Sequence, residues 1–285
     1  MVRDTGANTL NLASPIQCGI IRNDTVGTTD PNDFFSFKLG ARSRFNLKLN
    51  GLIANADVEL CQDRNGNGSL DLGEVVASSR ATGAKGETMS LVGLDKGTYY
   101  LRVFAKEDST TPYNLFFNAT PTKTISPTYE VVLRTNEFRV KNGLQPLAVN
   151  TQLTRAAQKY AREMALQDNF SHTGKDGSSP WDRMRAADYD FSEAAENLAA
   201  GHTSAASAIQ GWQRSPGHRK NMLAYQVQEI GVGYYYLKSD GGKFTYQRYW
   251  SQPMATPADV HVQPQNLWNQ IEYRDPNNRF PRFPD

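Results

Sequence analysis

At 285 residues the chain has room for one large domain or two ordinary ones, and two is the better starting expectation. Hydrophobic residues make up 39% and aromatics 11%, enough to fill real cores, while apolar runs such as Ile230 to Val232 or Tyr234 to Leu237 fall far short of a membrane span. Lys and Arg total 31 against 29 Asp and Glu, with 12 and 13 in residues 1–120 and 19 and 16 in the remainder, so neither half is a polycation suited to nucleic acid.

The start, Met1-Val-Arg-Asp-Thr-Gly-Ala-Asn-Thr-Leu, has no apolar h-region and hence no secretory signal peptide. Either the chain is trimmed or export uses another route. Cys18 and Cys61 are the only cysteines, too few for a disulfide framework; they form one bridge or stay reduced.

From residue 34 to 117 the dominant period is two. Phe35, Phe37 and Leu39 alternate with polar residues, as do Phe45, Leu47 and Leu49; Val58 and Leu60, then Tyr99, Leu101 and Val103, then Tyr113, Leu115 and Phe117 follow. Turn signals separate these runs: Asn50-Gly51, Asn65-Gly66-Asn67-Gly68, Gly83 to Gly86, Asp95-Lys96-Gly97 and Ser109 to Pro112. Short strands at this spacing with no helical stretch among them predict an all-β sandwich over residues 1–119.

Within it, Asp63-Arg-Asn65-Gly-Asn67-Gly68-Ser69-Leu-Asp71-Leu-Gly-Glu74 matches the calcium-loop pattern D-x-[DN]-x-[DN]-G-x5-E along its whole length. Calcium takes six to eight oxygens, and this spacing supplies them from Asp63, Asn65, Asn67, Ser69, Asp71 and Glu74, with Gly68 at the sharp turn. The loop lies between two strands rather than two helices, so a structural calcium that locks a hairpin is the expectation. The competing reading is a polar turn built from Asn-Gly pairs, which has no need for Asp71 and Glu74 in register.

The runs Asp33-Phe-Phe-Ser-Phe, Arg44-Phe-Asn-Leu-Lys-Leu-Asn-Gly-Leu, Ala56-Asp-Val-Glu-Leu, Gly97-Thr-Tyr-Tyr-Leu-Arg-Val and Thr111-Pro-Tyr-Asn-Leu resemble the bacterial pre-peptidase C-terminal domain over residues 4–119. The resemblance implies a β-sandwich attached to secreted proteins, an extracellular accessory module.

Residues 120–128 are Thr/Pro-rich and read as a linker. Ser126-Pro127 then opens a helix that runs to the Asn142-Gly143 stop. Asn150 precedes Leu153, Ala156, Ala157, Tyr160, Ala161, Met164 and Ala165, whose i, i+3, i+4 spacing predicts a second helix. Further helices are expected from Ser179-Pro180-Trp181 and over Ser204 to Trp212. A strand pair, Ile230 to Leu237 and Phe244 to Trp250, should flank Ser239 to Gly242. The second domain, 129–257, is therefore α+β, and the Pro-, Asn- and Gln-rich residues 258–285 read as an extended tail anchored by Trp268.

Two of the four histidines stand in this domain's densest polar segments, Ser171-His172-Thr-Gly and Ser215-Pro-Gly-His218-Arg-Lys-Asn, with Glu196-Asn197-Leu198 between them. Two imidazoles and a carboxylate are a common zinc ligand set that leaves a fourth position for water, although histidines 46 apart converge only if the fold makes them do so. Asn136-Glu-Phe-Arg139, Gly143-Leu-Gln-Pro-Leu147, Ser171-His172, Glu196-Asn197-Leu198, Trp212-Gln-Arg-Ser-Pro-Gly-His218-Arg-Lys-Asn-Met-Leu223 and Ile230-Gly-Val-Gly233, in that order, resemble the bacterial branch of the CAP superfamily over residues 129–253.

The resemblance implies an α-β-α sandwich with a cleft lined by two histidines and two acids able to hold a divalent metal such as zinc. His172, Glu196 and His218 match three of these positions, and the second acid falls on Ser215, which removes one anionic ligand. Ser215 also invites a nucleophile reading, but no G-x-S-x-G elbow surrounds it, and a cap ahead of Pro216 is the better account. Trp181, Trp212, Trp250 and Tyr234 to Tyr236 read as packing rather than a lipid or glycan groove.

The combined expectation is a secreted bacterial protein whose Met1 begins a trimmed chain. The favoured function is a non-enzymatic extracellular binding module that takes a small apolar, lipid or peptide ligand at a surface or in matrix. The alternative is a metal-assisted hydrolase, a peptidase using the same cleft, in which His172 and His218 hold the metal and Glu196 is third ligand or general base. That alternative has no H-E-x-x-H helix to support it.

Overall fold

Alternation of apolar and polar residues becomes a two-layer sandwich in the first of two compact units, Met1–Ser126 and Pro127–Asp285, of a computed structural model that describes residues 6–106 and 109–259. One layer joins β1 (Ser14–Pro15), β3 (Asn32–Leu39), β8 (Gly97–Ala105), β5 (Ala56–Cys61) and β6 (Val75–Ser79) in that order. The other joins β2 (Arg22–Val26), β9 (Thr111–Pro121), β4 (Ser43–Asn50) and β7 (Glu87–Leu94).

Because strand side chains alternate between faces, Phe37 and Tyr99 from the first layer meet Phe45 and Phe117 from the second. Their ring centroids lie 4.5 to 5.9 Å apart, and this aromatic group forms the centre of the core. The periodicity reading does not cover every strand, and β2 and β7 show why. β2 is the polar run Arg-Asn-Asp-Thr-Val, and pairing with β9 makes it a strand. β7 alternates, but its partner β4 lies some 40 residues earlier in the chain, as the pairing of Lys48 with Thr88 records. Both cysteines are free: Cys61 is buried on β5, whereas exposed Cys18 accepts the Ala119 N–H at 3.1 Å.

In the second unit the caps read from sequence start the helices. Asn150 Oδ1 accepts from Leu153 N at 2.9 Å ahead of α2 (Thr151–Leu166), after α1 (Pro127–Lys141) and β10 (Ala148–Asn150). Ser179 and Asp182 form a capping box at α3 (Pro180–Ala186), and Ser204 does so with Ser207 at α4 (Ala205–Arg214). The apolar stripe of α2 is buried throughout, from Leu153 to Ala165.

The strands of this unit are β11 (Phe191–Ala200), β12 (Glu229–Ile230), β13 (Gly233–Tyr236) and β14 (Arg248–Pro257), with α5 (Pro216–Met222) between β11 and β12. They order β10-β12-β14-β11, with β13 also on β14. Every residue of β14 after Arg248 is buried, as a strand covered on both faces must be. Tyr249 packs with Tyr160 and Met164 of α2, and Gln252, pointing the opposite way, donates to Thr135 Oγ1 of α1 at 2.9 Å.

The expected strand pair needs correction. Gly231 and Val232 interrupt the first member, splitting it into β12 and β13, Leu237 and residues 244–247 lie outside the strands, and β14 begins only at Arg248. The cause is local: Asp168 accepts the N–H groups of Lys243 and Phe244 at 2.7 Å each, drawing that segment out of the sheet, and Gln247 turns at φ 60°. These hydrogen bonds hold the Asp168 carboxyl below its usual range. β11 was not expected at all, since Ser-Glu-Ala-Ala-Glu-Asn has little strand character of its own. The Trp268 anchor lies outside the described residues.

The Ile-Gly-Val-Gly run has a packing reason. A Cβ at Gly231 would sit 2.2 Å from the Leu153 carbonyl carbon, and one at Gly233 would sit 2.1 Å from the Ala157 oxygen, so α2 lies directly on this backbone. Helix backbone cannot yield as a flexible side chain does, and Gly231→Ala should therefore cost at least about 2 kcal/mol in urea unfolding, even though alanine adds apolar surface.

Candidate functional site around His172 and Glu196

Register decides what the Glu196 side chain meets. Glu196 pairs with Pro253, Asn197 with Gln252 and Leu198 with Ser251, so Glu196 and Leu198 point to the α2 side while Asn197 points away. Leu198 packs on Tyr160 and Met164, and the Glu196 carboxylate lies near enough to the same tyrosine to act on it electrostatically. Its side chain is only 4% exposed.

A buried carboxylate needs partners, and Glu196 has them. Arg183 Nη2 donates to Oε1 at 3.2 Å and to Oε2 at 3.1 Å. His172 Nδ1 lies 2.8 Å from Oε1, and Ser251 Oγ reaches Oε2 at 3.5 Å. Arg183 comes from α3, one turn after the Ser179 capping box, and its guanidinium lies 3.4 Å over the Tyr160 ring. It also donates to the carbonyls of Ser178 and His172, at 2.9 and 3.1 Å. The Tyr160 hydroxyl donates to the Ser171 carbonyl, and burial above all pushes its pKa up to about 12. The loop before α3 is thus tied down on both sides of Ser171-His172, while the His172 side chain remains 55% exposed.

His218 arrives on α5, which side-chain amides fasten to β11. Asn197 Nδ2 donates to the His218 carbonyl at 3.2 Å and to Gln252 Oε1 at 3.0 Å. Asn221 Nδ2 donates to the Glu196 carbonyl at 3.2 Å and to Asn197 Oδ1 at 3.0 Å. Burial, and secondarily the approach of His172, lower the His218 pKa, which favours a neutral ring at pH 7. Ser215 holds the N-cap position of α5 but makes no side-chain cap hydrogen bond, contrary to the capping role expected of it.

The fold therefore joins His172 to Glu196 directly, and places His218 where it feels His172. Among the described residues no three His, Cys, Asp or Glu side chains are gathered as a metal-ligand group. The sequence reading missed Arg183 and Tyr160. Nothing in the spacing distinguishes Arg183 from Arg185 two residues on; only the burial of Glu196 opposite it does.

The calcium-type loop, 63–74, closes on itself. Asp71 Oδ2 accepts from Asn65 Nδ2 and Asn67 Nδ2, both at 2.7 Å, so three of the six expected ligand side chains meet at one oxygen. Asp63 accepts the N–H groups of Gly66 and Gly68 at 2.7 and 3.1 Å. Glu74 turns back across the loop, taking Arg64 N–H at 2.7 Å and Asp71 N–H at 3.0 Å. Gly68 sits at φ 75°, a left-handed turn that glycine adopts without strain. Ser69 donates its N–H to Asn67 Oδ1 at 2.8 Å. The side chains available to a cation there present hard oxygens, the carboxylates of Asp63, Asp71 and Glu74 and the amide oxygens of Asn65 and Asn67, the chemistry calcium prefers.

Comparison with known proteins agrees with this architecture. Residues 132–253 match the CAP, cysteine-rich secretory protein family, and residues 31–105 match the bacterial pre-peptidase C-terminal domain. The uncharacterized protein YkwD of Bacillus subtilis (strain 168) is 36% identical over 105 residues, 37% of this chain and 41% of that protein. The chain thus spans less than half the length of this curated relative. Among solved structures, an extracellular protein containing a SCP domain from Bacillus anthracis is 25% identical with a TM-score of 0.41, covering 59% of this chain and 56% of that one. The pre-peptidase C-terminal domain of a Bacillus anthracis collagenase is 16% identical with a TM-score of 0.31, covering 37% of this chain and 94% of its own. The chain carries two known modules, a bacterial pre-peptidase C-terminal domain over residues 31–105 and, over residues 132–253, a CAP domain of the cysteine-rich secretory protein family.

Proposed function

We propose that this chain is a secreted bacterial binding protein without enzymatic activity, whose CAP domain takes a small apolar, lipid or peptide ligand beside His172 and His218. The observation that carries this reading is the engagement of Glu196. Both of its oxygens accept from Arg183, one accepts from His172 as well, and the side chain is 4% exposed. An acid so occupied is poorly placed to hold a metal or to draw a proton from water, and serves better to orient an imidazole that meets ligand. Ser215, in place of a second acid, supports the same reading.

The metal-assisted hydrolase retains one specific support. A histidine held at Nδ1 by a carboxylate is the arrangement that orients metal-binding imidazoles, and the lowered pKa of His218 favours the neutral, ligating form. His172 and His218 would then hold the metal, with Glu196 behind His172. Titration with zinc and a broad peptide-cleavage screen of wild type against His172→Ala separate the two. The binding reading expects no cleavage in either protein and lipid or peptide binding at His172; metal-dependent turnover abolished by His172→Ala would overturn it.

The first domain serves in this reading as a calcium-stabilised accessory module that places the CAP domain at an extracellular surface or in matrix. Support comes from the convergence of Asn65, Asn67 and Asp71. Calcium at about 100 times its dissociation constant should stabilise the folded loop by about 2.7 kcal/mol, which corresponds to a rise of several degrees in the melting temperature of this domain. Chelator should reverse the rise, and Asp71→Asn should remove most of it. A melting temperature indifferent to both calcium and chelator would leave the loop a polar turn.

A further inference from the structure

Arg183 makes more contacts at the site than its surroundings need for packing alone. Its guanidinium reaches the Glu196 carboxylate, the carbonyls of Ser178 and His172, and the face of Tyr160, so it touches His172 through the backbone and through the partner of its side chain. An ionised carboxylate only accepts hydrogen bonds, and therefore the ring nitrogen that faces it at 2.8 Å carries the proton. The other ring nitrogen, Nε2, is then the accepting atom of a side chain that is 55% exposed.

We infer that Arg183 is the positioning residue of this site: by fixing the plane and charge of Glu196 it holds His172 as the Nδ1–H tautomer and presents Nε2 as the atom that accepts from a ligand. The inference rests on the reading of the CAP site as a binding site, and it adds the recognition chemistry, namely a ligand hydrogen-bond donor such as a hydroxyl or an amide N–H at Nε2. The planar fork matters as well as the charge. One carboxylate, two carbonyls and an aromatic face are met at once by a guanidinium, whereas an ammonium meets them only in part. Without Arg183, Glu196 loses the donor shared across both its oxygens, and His172 relaxes toward Nε2–H, the tautomer that free histidine favours in water.

The test is a long-range 1H–15N correlation spectrum of the histidine rings in the full chain, without ligand or metal, at about pH 8.5, well above the ordinary imidazole value of about 6.5. Wild type should show His172 predominantly as Nδ1–H. In Arg183→Met the ratio of Nδ1–H to Nε2–H should fall about tenfold or more, the loss expected of a charge-assisted hydrogen bond. Arg183→Lys should fall between the two, and its retained charge supplies a folded variant if the methionine protein does not fold. A folded variant that loses thermal stability while keeping the wild-type tautomer ratio makes Arg183 structural only and overturns the inference. Because nothing is bound in this experiment, its failure is distinguishable from failure of the binding reading, which registers in the lipid, peptide and zinc titrations.

Discussion

Arg139→Met should destabilise the second unit by about 3 kcal/mol or more, because buried carbonyls left without a donor cost about 1–3 kcal/mol each. Arg139 is 2% exposed and lies on α1. Its guanidinium donates to the carbonyls of Gln145, Met222 and Ala224 at 2.8 to 2.9 Å and of Val227 at 3.4 Å. Those acceptors belong to the loop after α1, to the last residue of α5 and to the segment that joins α5 to β12, so one side chain ties three pieces of the unit together. Burial lowers its pKa to about 10, still far enough above neutrality for the charge to persist. Methionine fits the apolar stem, but it leaves the carbonyls facing an apolar group, and that loss outweighs the relief of burying a cation. All four tryptophans lie beyond residue 180, so urea unfolding followed by tryptophan fluorescence reports this unit. A change below about 1 kcal/mol would show that water replaces the guanidinium at little cost.

The second large effect is pH-dependent and belongs to the sandwich. Asp57 on β5 is 1% exposed, and neither carboxylate oxygen has a hydrogen-bond partner. Lys106 Nζ and Arg80 Nη1 stand off at 3.6 and 3.8 Å, and Arg80 is drawn instead to Glu59 at 2.5 Å. Desolvation raises the Asp57 pKa from 3.8 to about 7, against the attraction of Arg80 and Lys106 and with help from Glu87 and Glu59. The folded state thus holds a proton that the unfolded chain has lost between those two values, and stability must fall as pH rises through that window. At 1.36 kcal/mol per pKa unit the full effect is on the order of 4 kcal/mol. Asp57→Asn removes the titration, so the difference in stability between variant and wild type should grow in the variant's favour from pH 4 to pH 8. Hydrogen exchange of the β5 and β8 amides follows it. A difference that stays flat across the range would mean that this proton is not linked to folding.

Much of the architecture is legible in residue order because the signals are local. Alternation at Phe35, Phe37 and Leu39, the Asn150 and Ser179 caps, and the apolar stripe of α2 each act within a few residues, and each appears as a strand or helix where the pattern stands. Among the strands that escape the residue pattern, β2 and β11 have polar or small residues and become strands only because β9 and β14 offer them a ladder. The segment from Phe244 to Gln247 errs in the opposite direction: its aromatic alternation is strand-like, yet Asp168, more than seventy residues earlier, takes its amide hydrogens.

The same division holds at the site. The residue order supplies the two-domain plan, the β-sandwich ahead of the α+β domain, and the segments that bear His172, Glu196 and His218, since these are matters of pattern and motif. Tertiary structure alone decides that Glu196 faces Tyr160 rather than Gln252, that Arg183 is its partner, and that Asp57 is buried without a hydrogen bond. The physical reason is range. Hydrogen-bond caps and side-chain periodicity are set by neighbours along the chain, whereas the charge, burial and orientation of an ionisable group are set by whatever the fold brings against it.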